Sequence, residues 1–303
     1  MSYLPQLLFA LALAAAIGFF AKNVGQIKKN INLGRDIDRK DRKNERLNNM
    51  LRVAFGQSKM QAKPVAGALH FVVYVSFLII NIEVLEIIVD GLFGTHRFFA
   101  PFFGSSYDVV ISFFEVLAVL TLITVGAFWW RRNVMKIDRF HKPEMKGWPF
   151  KDANTILYIE VALMFALLNM NAVEENMEGA SHSFLISSLI APLWSGLSEG
   201  GLHIAERAFW WVHILGILSF LNYLPYSKHF HIILAFPNTY YANLEAKGRF
   251  ANNAAVTKEV SMMMDPNADP FAAPAPDTDA PIERFGAKDA MDLSWVNLLN
   301  AYT

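Results

Sequence analysis

Long apolar runs separated by charged segments dominate the chain. A run of about 18 or more apolar residues is long enough to cross the hydrocarbon core of a bilayer as an α-helix. A sixth apolar stretch, Phe184–Trp194, is too short to cross and contains Pro192, so we expect a re-entrant or surface helix there. The sequence predicts five transmembrane helices, over Leu4–Ala21, Pro64–Phe93, Tyr107–Trp130, Ala153–Met170 and Arg207–Tyr226.

The positive charges between these helices predict their orientation. Segment 22–63, segment 131–151 and the tail after Tyr226 hold 12, 7 and 6 Lys or Arg residues, whereas the opposite side has only Arg97 and Arg207. Because Lys and Arg accumulate on the cytoplasmic side, the N-terminus is predicted outside and the C-terminus in the cytoplasm. The expected fold class is an all-α integral membrane bundle of about five transmembrane helices with an extended C-terminal arm.

The composition agrees with a membrane class and narrows the chemistry. Hydrophobic residues make up 54% of the 303 residues, and the formal net charge is +0. No excess of positive charge favours nucleic acid, so we expect membrane lipid rather than nucleic acid as a partner. The absence of cysteine excludes disulfides, covalently attached c-type haem and iron–sulfur clusters held by this chain alone. Metal ligands from this chain must therefore be His, Met or carboxylate.

A change in composition predicts the domain boundaries. Residues 1–247 form the predicted membrane domain, and residues 248–282 are rich in Asn, Asp, Pro and Ala, which is typical of an extended linker. Residues 283–303 regain apolar positions, with Leu293, Trp295, Leu298 and Leu299 at helical spacing.

Three histidines lie within or near the predicted helices, where ionisable groups are costly and usually functional. His70 lies near the predicted cytoplasmic end of the second helix, and His213 near the outer end of the fifth. His231 follows His213 by 18 residues. In one continuous α-helix that spacing is five turns, or about 27 Å, so both rings would point to the same face near opposite membrane surfaces.

We interpret His70 and His231 as the two axial ligands of one b-type haem. They are predicted at equal depth on different helices, and a flat macrocycle between helices takes one imidazole from each side. The alternative is that each histidine is a structural residue bonded to a neighbouring helix. His229 competes with His231, but on a helix it lies about 200° away and is predicted to be a surface residue.

The segment LPYSKHFHIILAFP, Leu224 to Pro237, resembles the cytoplasmic end of the last helix in the nitrate reductase gamma-subunit family and in the related membrane subunit of heterodisulfide reductase. The resemblance covers five spans, their direction and the spacing from His213 to His231. It implies two b-type haems, held by a histidine pair on the fifth helix and two histidines on the second. His70, His213 and His231 match three of those four positions.

The fourth position departs from the family pattern, because Ile80 stands where the second histidine of the second helix is expected. Three outcomes follow. The chain holds one haem only, or a five-coordinate outer haem, or an outer haem that takes a ligand from His96 or His182. His96 is the attractive candidate because it follows the outer end of the second predicted helix.

The tail RFGAKDAMDLSWVNLLNAYT, Arg284 to Thr303, resembles the lead-in to the iron–sulfur domain of fused heterodisulfide-reductase-like oxidoreductases. In that family such a segment runs into a cysteine-rich motif with two [4Fe-4S] clusters. The resemblance implies that the clusters belong to a missing C-terminal domain or to a separate partner subunit, of which we favour the missing domain. The alternative for this segment is an ordinary amphipathic terminal helix.

Acidic residues recur within the predicted helices, and quinone chemistry couples electrons to protons. We expect a quinone or menaquinone to bind beside the outer haem, with Glu83 or Glu86 as the proton relay. Asp90 is instead predicted to pair with Lys, Arg or His at the helix end. Other acids within the spans are Glu115 and Glu160.

The leading functional hypothesis is an oxidoreductase membrane subunit or domain that links the quinone pool to cytoplasmic iron–sulfur centres. It is expected in the bacterial inner membrane, alone or within a larger respiratory complex. A haem-free anchor for a soluble oxidoreductase and a proton- or ion-coupled transporter are the alternatives. The chain shows no internal repeat, which many transporters have.

Overall fold

The computed structural model describes residues 3–179, 182–246, 248–249, 252–267 and 286–303, and these are helical with no extended strand. Five of the helices are long and apolar enough to cross a membrane, the same number of candidate spans as the sequence predicts. The α-helices are α1 (Leu4–Ile31), α2 (Lys43–Met50), α3 (Pro64–Phe93), α4 (Ala100–Phe103), α5 (Tyr107–Asn133), α6 (Trp148–Glu174), α7 (Ser187–Ile190), α8 (Glu199–Tyr223), α9 (His231–Tyr240), α10 (Ala254–Met264) and α11 (Trp295–Tyr302).

Proline and glycine mark the ends of the long helix α3. Pro64 is its first residue, where the missing backbone N–H costs nothing and the fixed φ suits the helix. Gly94 follows its last residue with φ +70°, the left-handed conformation that ends many helices. The sequence boundaries predicted for this helix therefore coincide with those in the structure.

Many large apolar side chains are exposed on the long helices, among them Leu11, Ile123, Phe165 and Val212. In water such exposure would be unfavourable over so large an area. In a bilayer these side chains face lipid, which agrees with the length and hydropathy of the five helices.

The chain divides into two compact units. The first comprises Met1–Gly25 and Phe55–Ile232, and its core lies among α3, α5, α6 and α8. Within it, fully buried Phe9 of α1 packs edge-on against the rings of Trp210 and Trp211, with ring centroids 5.4 and 6.3 Å away. This aromatic cluster fixes α1 to α8.

The stretch Phe184–Trp194 does not form a long helix. It contains the four-residue helix α7 and a 3-10 turn over Ala191–Leu193 that contains Pro192. Phe184 and Ser187 are buried, whereas Leu185 and Leu189 are exposed. The expectation that this stretch is too short to cross is confirmed.

The second unit comprises Gln26–Ala54 and Ile233–Thr303. The C-terminal segment pairs there with the segment after α1. The backbone N–H of Arg35 donates to the carbonyl of Leu293 at 2.8 Å, and that of Trp295 donates to the carbonyl of Arg35 at 3.1 Å. The Trp295 indole N–H donates to the carbonyl of Ile37 at 3.1 Å.

A buried arginine stabilises the same unit. The Arg46 guanidinium is fully buried and donates to the Asp41 carboxylate at 2.6 Å and to the carbonyl of Ala242 at 3.0 Å. The hydrogen bond from Arg46 holds the pKa of Asp41 below its usual value. The unit therefore rests on specific polar contacts as well as on apolar packing.

Part of the predicted extended linker is helical. Helix α10 lies within residues 248–282, and its N-cap Asn253 accepts a hydrogen bond from the backbone N–H of Ala255 at 3.0 Å. Asn at the N-cap and the two alanines that follow it favour a helix here. The overall composition of the segment predicted an extended linker instead. Residues 268–285, which include the rest of the linker and the start of the tail, lie outside the described residues.

A substitution at Gly34 tests whether the C-terminal segment is docked as described. A Cβ at Gly34 would lie 2.5 Å from the backbone nitrogen of Trp295, which cannot move away as a flexible side chain can. We expect Gly34→Ala to displace this pairing, at an overpacking cost of about 1–3 kcal/mol. Limited proteolysis of the full chain in detergent should then cleave the C-terminal segment several times faster. Gly286→Ala is the control, because a Cβ at Gly286 has no atom within 4 Å. Equal cleavage of the two variants would contradict the docking.

Candidate functional site

His70 of α3 and His231, the first residue of α9, lie close together. Their ring centroids are 6.5 Å apart and the ring planes are inclined by 42°. The two residues are 161 positions apart in the sequence, so only the tertiary fold brings them together. Both rings are partly buried.

A hydrogen bond sets the orientation of one of these rings. Nδ1 of His231 lies 2.9 Å from the carbonyl oxygen of Lys228. A carbonyl only accepts, so Nδ1 carries the proton and the lone pair of His231 is on Nε2, as in many metal-binding histidines. Nδ1 of His70 is buried and has no hydrogen-bond partner among the described residues.

The distance between the rings fits one metal centre between them. An imidazole–metal bond of about 2 Å, with the ring centre about 1 Å behind its nitrogen, puts two opposed ring centres about 6 Å apart. The observed 6.5 Å agrees with this value. The pair therefore offers two imidazole nitrogens at a ring spacing that one metal ion between them would require.

The chain around His231 differs from the continuous helix assumed in the sequence analysis. Helix α8 ends at Tyr223 and is followed by 3-10 turns over Leu224–Tyr226 and Lys228–Phe230. Pro225 has no N–H to continue the α-helix. His213 and His231 are therefore not on one helix, and the prediction that they are five turns apart on one helix face is wrong.

The same break changes the environment of His229, which was predicted to be a surface residue. That prediction is wrong, because its ring is only partly exposed and packs at 5.4 Å from the ring of Phe220 and 5.5 Å from that of His231. Burial lowers the pKa of His229 to about 4, so this ring is neutral at physiological pH.

His213 of α8 is buried beside a cavity whose empty space, including its opening to the surroundings, is about 560 Å³. Its Nδ1 lies 2.9 Å from the carbonyl oxygen of Leu163 on α6, so Nδ1 donates and Nε2 keeps the lone pair. The cavity is bounded by residues of α3, α5, α6 and α8, and most of its lining is apolar.

Ile80 lines this same cavity. The residue that departs from the family pattern is thus near His213, as the resemblance implies, but it offers only hydrocarbon. The polar side chains that share the lining are Asn81, Thr121 and Glu160. Thr121 is 4% exposed, and its hydroxyl has no hydrogen-bond partner among the described residues.

The other two candidate ligands have partners elsewhere. His96 is exposed, and its Nε2 lies 3.1 Å from the carboxylate of Glu174. Nδ1 of His182 lies 2.8 Å from the carboxylate of Asp108, and its ring packs on Tyr107. Neither of them is among the described residues that line the His213 cavity.

A buried ion-pair network surrounds Arg97, in the loop after α3. Its guanidinium donates to Glu174 at 2.6 Å and to the side-chain oxygen of Asn171 at 2.7 Å, and lies 3.8 Å from the carboxylate of Glu83. Burial alone would lower the pKa of Arg97, but the carboxylate of Glu174 outweighs burial and holds it well above its usual value. Arg97 therefore stays charged. From the sequence, Arg97 is one of two positive charges on the outer side. Its position between two apolar helices was the one sign that it would need a buried counter-charge.

Glu83 and Glu86, the predicted proton relay, have different surroundings although both are buried. Glu86 accepts hydrogen bonds from the Tyr107 hydroxyl at 2.6 Å and from the backbone N–H of Phe99 at 2.7 Å. Neither carboxylate oxygen of Glu83 has a hydrogen-bond partner among the described residues.

Two further acids have structural contacts. Asp90 accepts from the backbone N–H groups of Arg97 and Phe98, whereas the predicted pairing with a Lys, Arg or His side chain is not among the ion pairs of the described residues. Glu115 accepts from the Ser187 hydroxyl and from the backbone N–H of Ile186, which ties α7 to α5.

Near this network lies a second cavity of about 400 Å³, lined by Glu86, His96, Arg97, Glu174 and Trp210 among others. It is more polar in lining than the His213 cavity and contains both signs of charge. Among the described residues, no group of three or more His, Cys, Asp or Glu side chains is arranged to hold a separate metal ion.

Replacing Arg97 tests the energetic role of this network. Arg97→Met leaves Glu174 buried without its counter-charge, so we expect a loss of about 3–5 kcal/mol in the free energy of unfolding. The thermal midpoint of the full chain in detergent should fall by several degrees. Arg249→Met is the control, because the Arg249–Glu245 pair is exposed.

The double variant Arg97→Met/Glu174→Met should recover part of the loss, since it removes both charges together. An unchanged midpoint in the single variant would show that the network does not stabilise the bundle.

Comparison with known proteins gives two relatives. The chain is 29% identical to the probable iron-sulfur-binding oxidoreductase FadF of Bacillus subtilis strain 168. The matched region of 245 residues covers 80% of this chain and 33% of that protein. It is also 23% identical to the EtfAB:quinone oxidoreductase of Syntrophomonas wolfei. The matched region of 265 residues covers 85% of this chain and 34% of that protein.

The chain thus spans about a third of the length of the curated relatives it matches. No family model and no solved structure matches it. Two relatives that share most of this chain are both named as oxidoreductases, and five of its helices are able to cross a membrane. The chain is therefore a helical, membrane-type relative of oxidoreductases.

Proposed function

We propose that this chain is the membrane-embedded electron-transfer module of a quinone-linked oxidoreductase, and that it binds b-type haem between His70 and His231. The observation that carries the proposal is the 6.5 Å separation of the two rings. The hydrogen bond from His231 to Lys228 supports it, because it leaves Nε2 free to ligate. A haem bound there would supply a one-electron redox centre at that end of the bundle.

The comparisons support the redox class and the partners. One relative is named as an iron-sulfur-binding oxidoreductase and the other as a quinone oxidoreductase. Since this chain has no cysteine, an iron–sulfur cluster must be held by another domain or subunit. We propose [4Fe-4S] clusters in such a partner of the heterodisulfide-reductase type, alone or within a larger respiratory complex.

The charge distribution supports the sidedness of this arrangement. Of 27 Lys and Arg residues, 25 fall on the side that also carries His70, His231 and the C-terminal tail. We therefore assign that side to the cytoplasm of a bacterial inner membrane. In this orientation the haem and the iron–sulfur partner lie on the same side, and His213 lies towards the other side.

Of the two predicted relay acids, Glu83 is the better candidate. Oxidation of a hydroquinone breaks two O–H bonds and releases two protons with two electrons, so a quinone site needs groups that exchange protons. Both oxygens of Glu86 are held by Tyr107 and Phe99, whereas those of Glu83 have no hydrogen bond among the described residues. We assign the relay to Glu83 and a positioning role to Glu86.

The haem assignment is tested by reduced-minus-oxidised absorption spectra of membranes that contain the full chain. We expect a b-type spectrum in the parent protein and its loss in His70→Ala and in His231→Ala, because each variant removes one axial ligand. His203→Ala is the matched control, since His203 is exposed and contacts Glu199. It should leave the spectrum unchanged.

Other results would assign the chain differently. A spectrum that is lost in His229→Ala but kept in His231→Ala would transfer the ligand to His229. Membranes with normal amounts of the chain and no chromophore would indicate the haem-free anchor. Proton or ion transport without a chromophore would indicate the transporter.

A further inference from the structure

We infer that the cavity beside His213 binds the ring of a quinone or hydroquinone and not a second haem. This inference rests on the proposed function, because it locates the quinone of that function. It is carried by the lining of one cavity within the first unit, and by a buried hydroxyl there that has no hydrogen-bond partner among the described residues.

The cavity has the lining of a small-molecule site, mainly apolar with a few polar groups. Phe77, Ile80 and Phe220 supply apolar and aromatic walls that suit a flat ring. Phe77 is also partly exposed on the outer side of the bundle, where an isoprenoid tail would enter from lipid.

His213 offers an acceptor of defined direction. Its Nδ1 donates to the Leu163 carbonyl, so the lone pair is on Nε2. A hydroquinone hydroxyl is a donor and matches this nitrogen. Because His213 is 2% exposed and fixed by the bond to α6, the acceptor is preorganised for a ligand in the cavity.

Thr121 offers a second polar group. Its hydroxyl is buried, lines the cavity and has no hydrogen-bond partner among the described residues. A buried hydroxyl without a partner costs free energy, and a ligand that bonds it removes that cost. A hydroxyl donates to a quinone carbonyl and accepts from a hydroquinone hydroxyl, so Thr121 suits both redox states.

Glu160 and Asn81 complete the polar lining. The side-chain amide N–H of Asn81 donates to the carbonyl of Phe77 at 2.5 Å, which fixes the amide and leaves its oxygen as an acceptor. Glu160 of α6 also lines the cavity. A few polar groups placed in a mainly apolar wall are the pattern that orients a quinone ring.

A second six-coordinate haem fits this cavity poorly. It needs two axial ligands, and among the described residues that line the cavity His213 is the sole imidazole. Ile80 is a hydrocarbon. Met164 supplies the one thioether among the described residues of the lining. It follows Leu163 in the chain, and the carbonyl of Leu163 already accepts a hydrogen bond from Nδ1 of His213, not from Nε2.

The test uses the purified full chain in detergent and two measurements on each variant. Pyridine haemochrome absorbance gives haem per polypeptide, and isothermal titration with menadiol, a tailless naphthohydroquinone, kept reduced and anaerobic, gives the binding constant. We expect one haem in the parent protein. Thr121→Val should keep that haem and bind menadiol about fivefold more weakly, the effect of one hydrogen bond. His213→Ala should also keep one haem and bind at least as weakly.

Thr124→Val is the matched control. Thr124 lies one turn further along α5 and is equally buried, but it is not among the residues that line the cavity. This variant should bind menadiol as the parent protein does. Since Thr121→Val is nearly isosteric and the haem spectrum reports folding, misfolding would be detected as loss of haem in both threonine variants.

Two results would overturn the inference and leave the proposed function intact. One is a parent protein with two haems per chain that loses one in His213→Ala or Met164→Leu. The other is menadiol binding that is unchanged in both Thr121→Val and His213→Ala. Failure of the proposed function itself would appear separately, as a chromophore that persists in His70→Ala and His231→Ala.

Discussion

The cost of placing polar groups among apolar helices governs this structure. Among apolar helices, a buried charge is costly unless it finds a partner inside the protein. Arg97 shows how this is met, because one guanidinium bonds Glu174 and Asn171 and lies near Glu83. Asp90 and Glu86 satisfy backbone N–H groups of the adjoining loop in the same way. The loop after α3 is thereby fixed to the bundle.

The buried polar atoms that lack a partner are then informative. Glu83, Thr121 and Nδ1 of His70 are buried and have no hydrogen-bond partner among the described residues. Each of them lies at a place for which we propose chemistry: proton transfer, quinone binding and haem ligation. Ser76 shares this property and has no proposed role, so an unpartnered group gains meaning only beside a cavity or a facing ligand.

Proline at position 225 has a consequence beyond ending a helix. Because α8 stops at Tyr223, the chain turns through two short 3-10 segments before α9 begins at His231. This turn places the Lys228 carbonyl at the ring of His231 and brings His229 against Phe220. A straight helix would have put His229 on the opposite side from His231. The ligand geometry at this end of the bundle therefore depends on the break.

The sequence by itself determined the five apolar spans, the charge asymmetry between their connections and the absence of cysteine, because hydropathy, charge and composition are local properties. It also singled out His70 and His231, which the structure brings together. Only the tertiary structure showed that the Glu83 oxygens have no hydrogen bond among the described residues while Glu86 is held by Tyr107, that Arg97 pairs with Glu174, and that Thr121 and His213 share a cavity. The physical reason is that these contacts join residues from different helices. His70 and His231, for example, are 161 positions apart in the sequence. The periodicity of one helix carries no information about which side chain of another helix will lie against it.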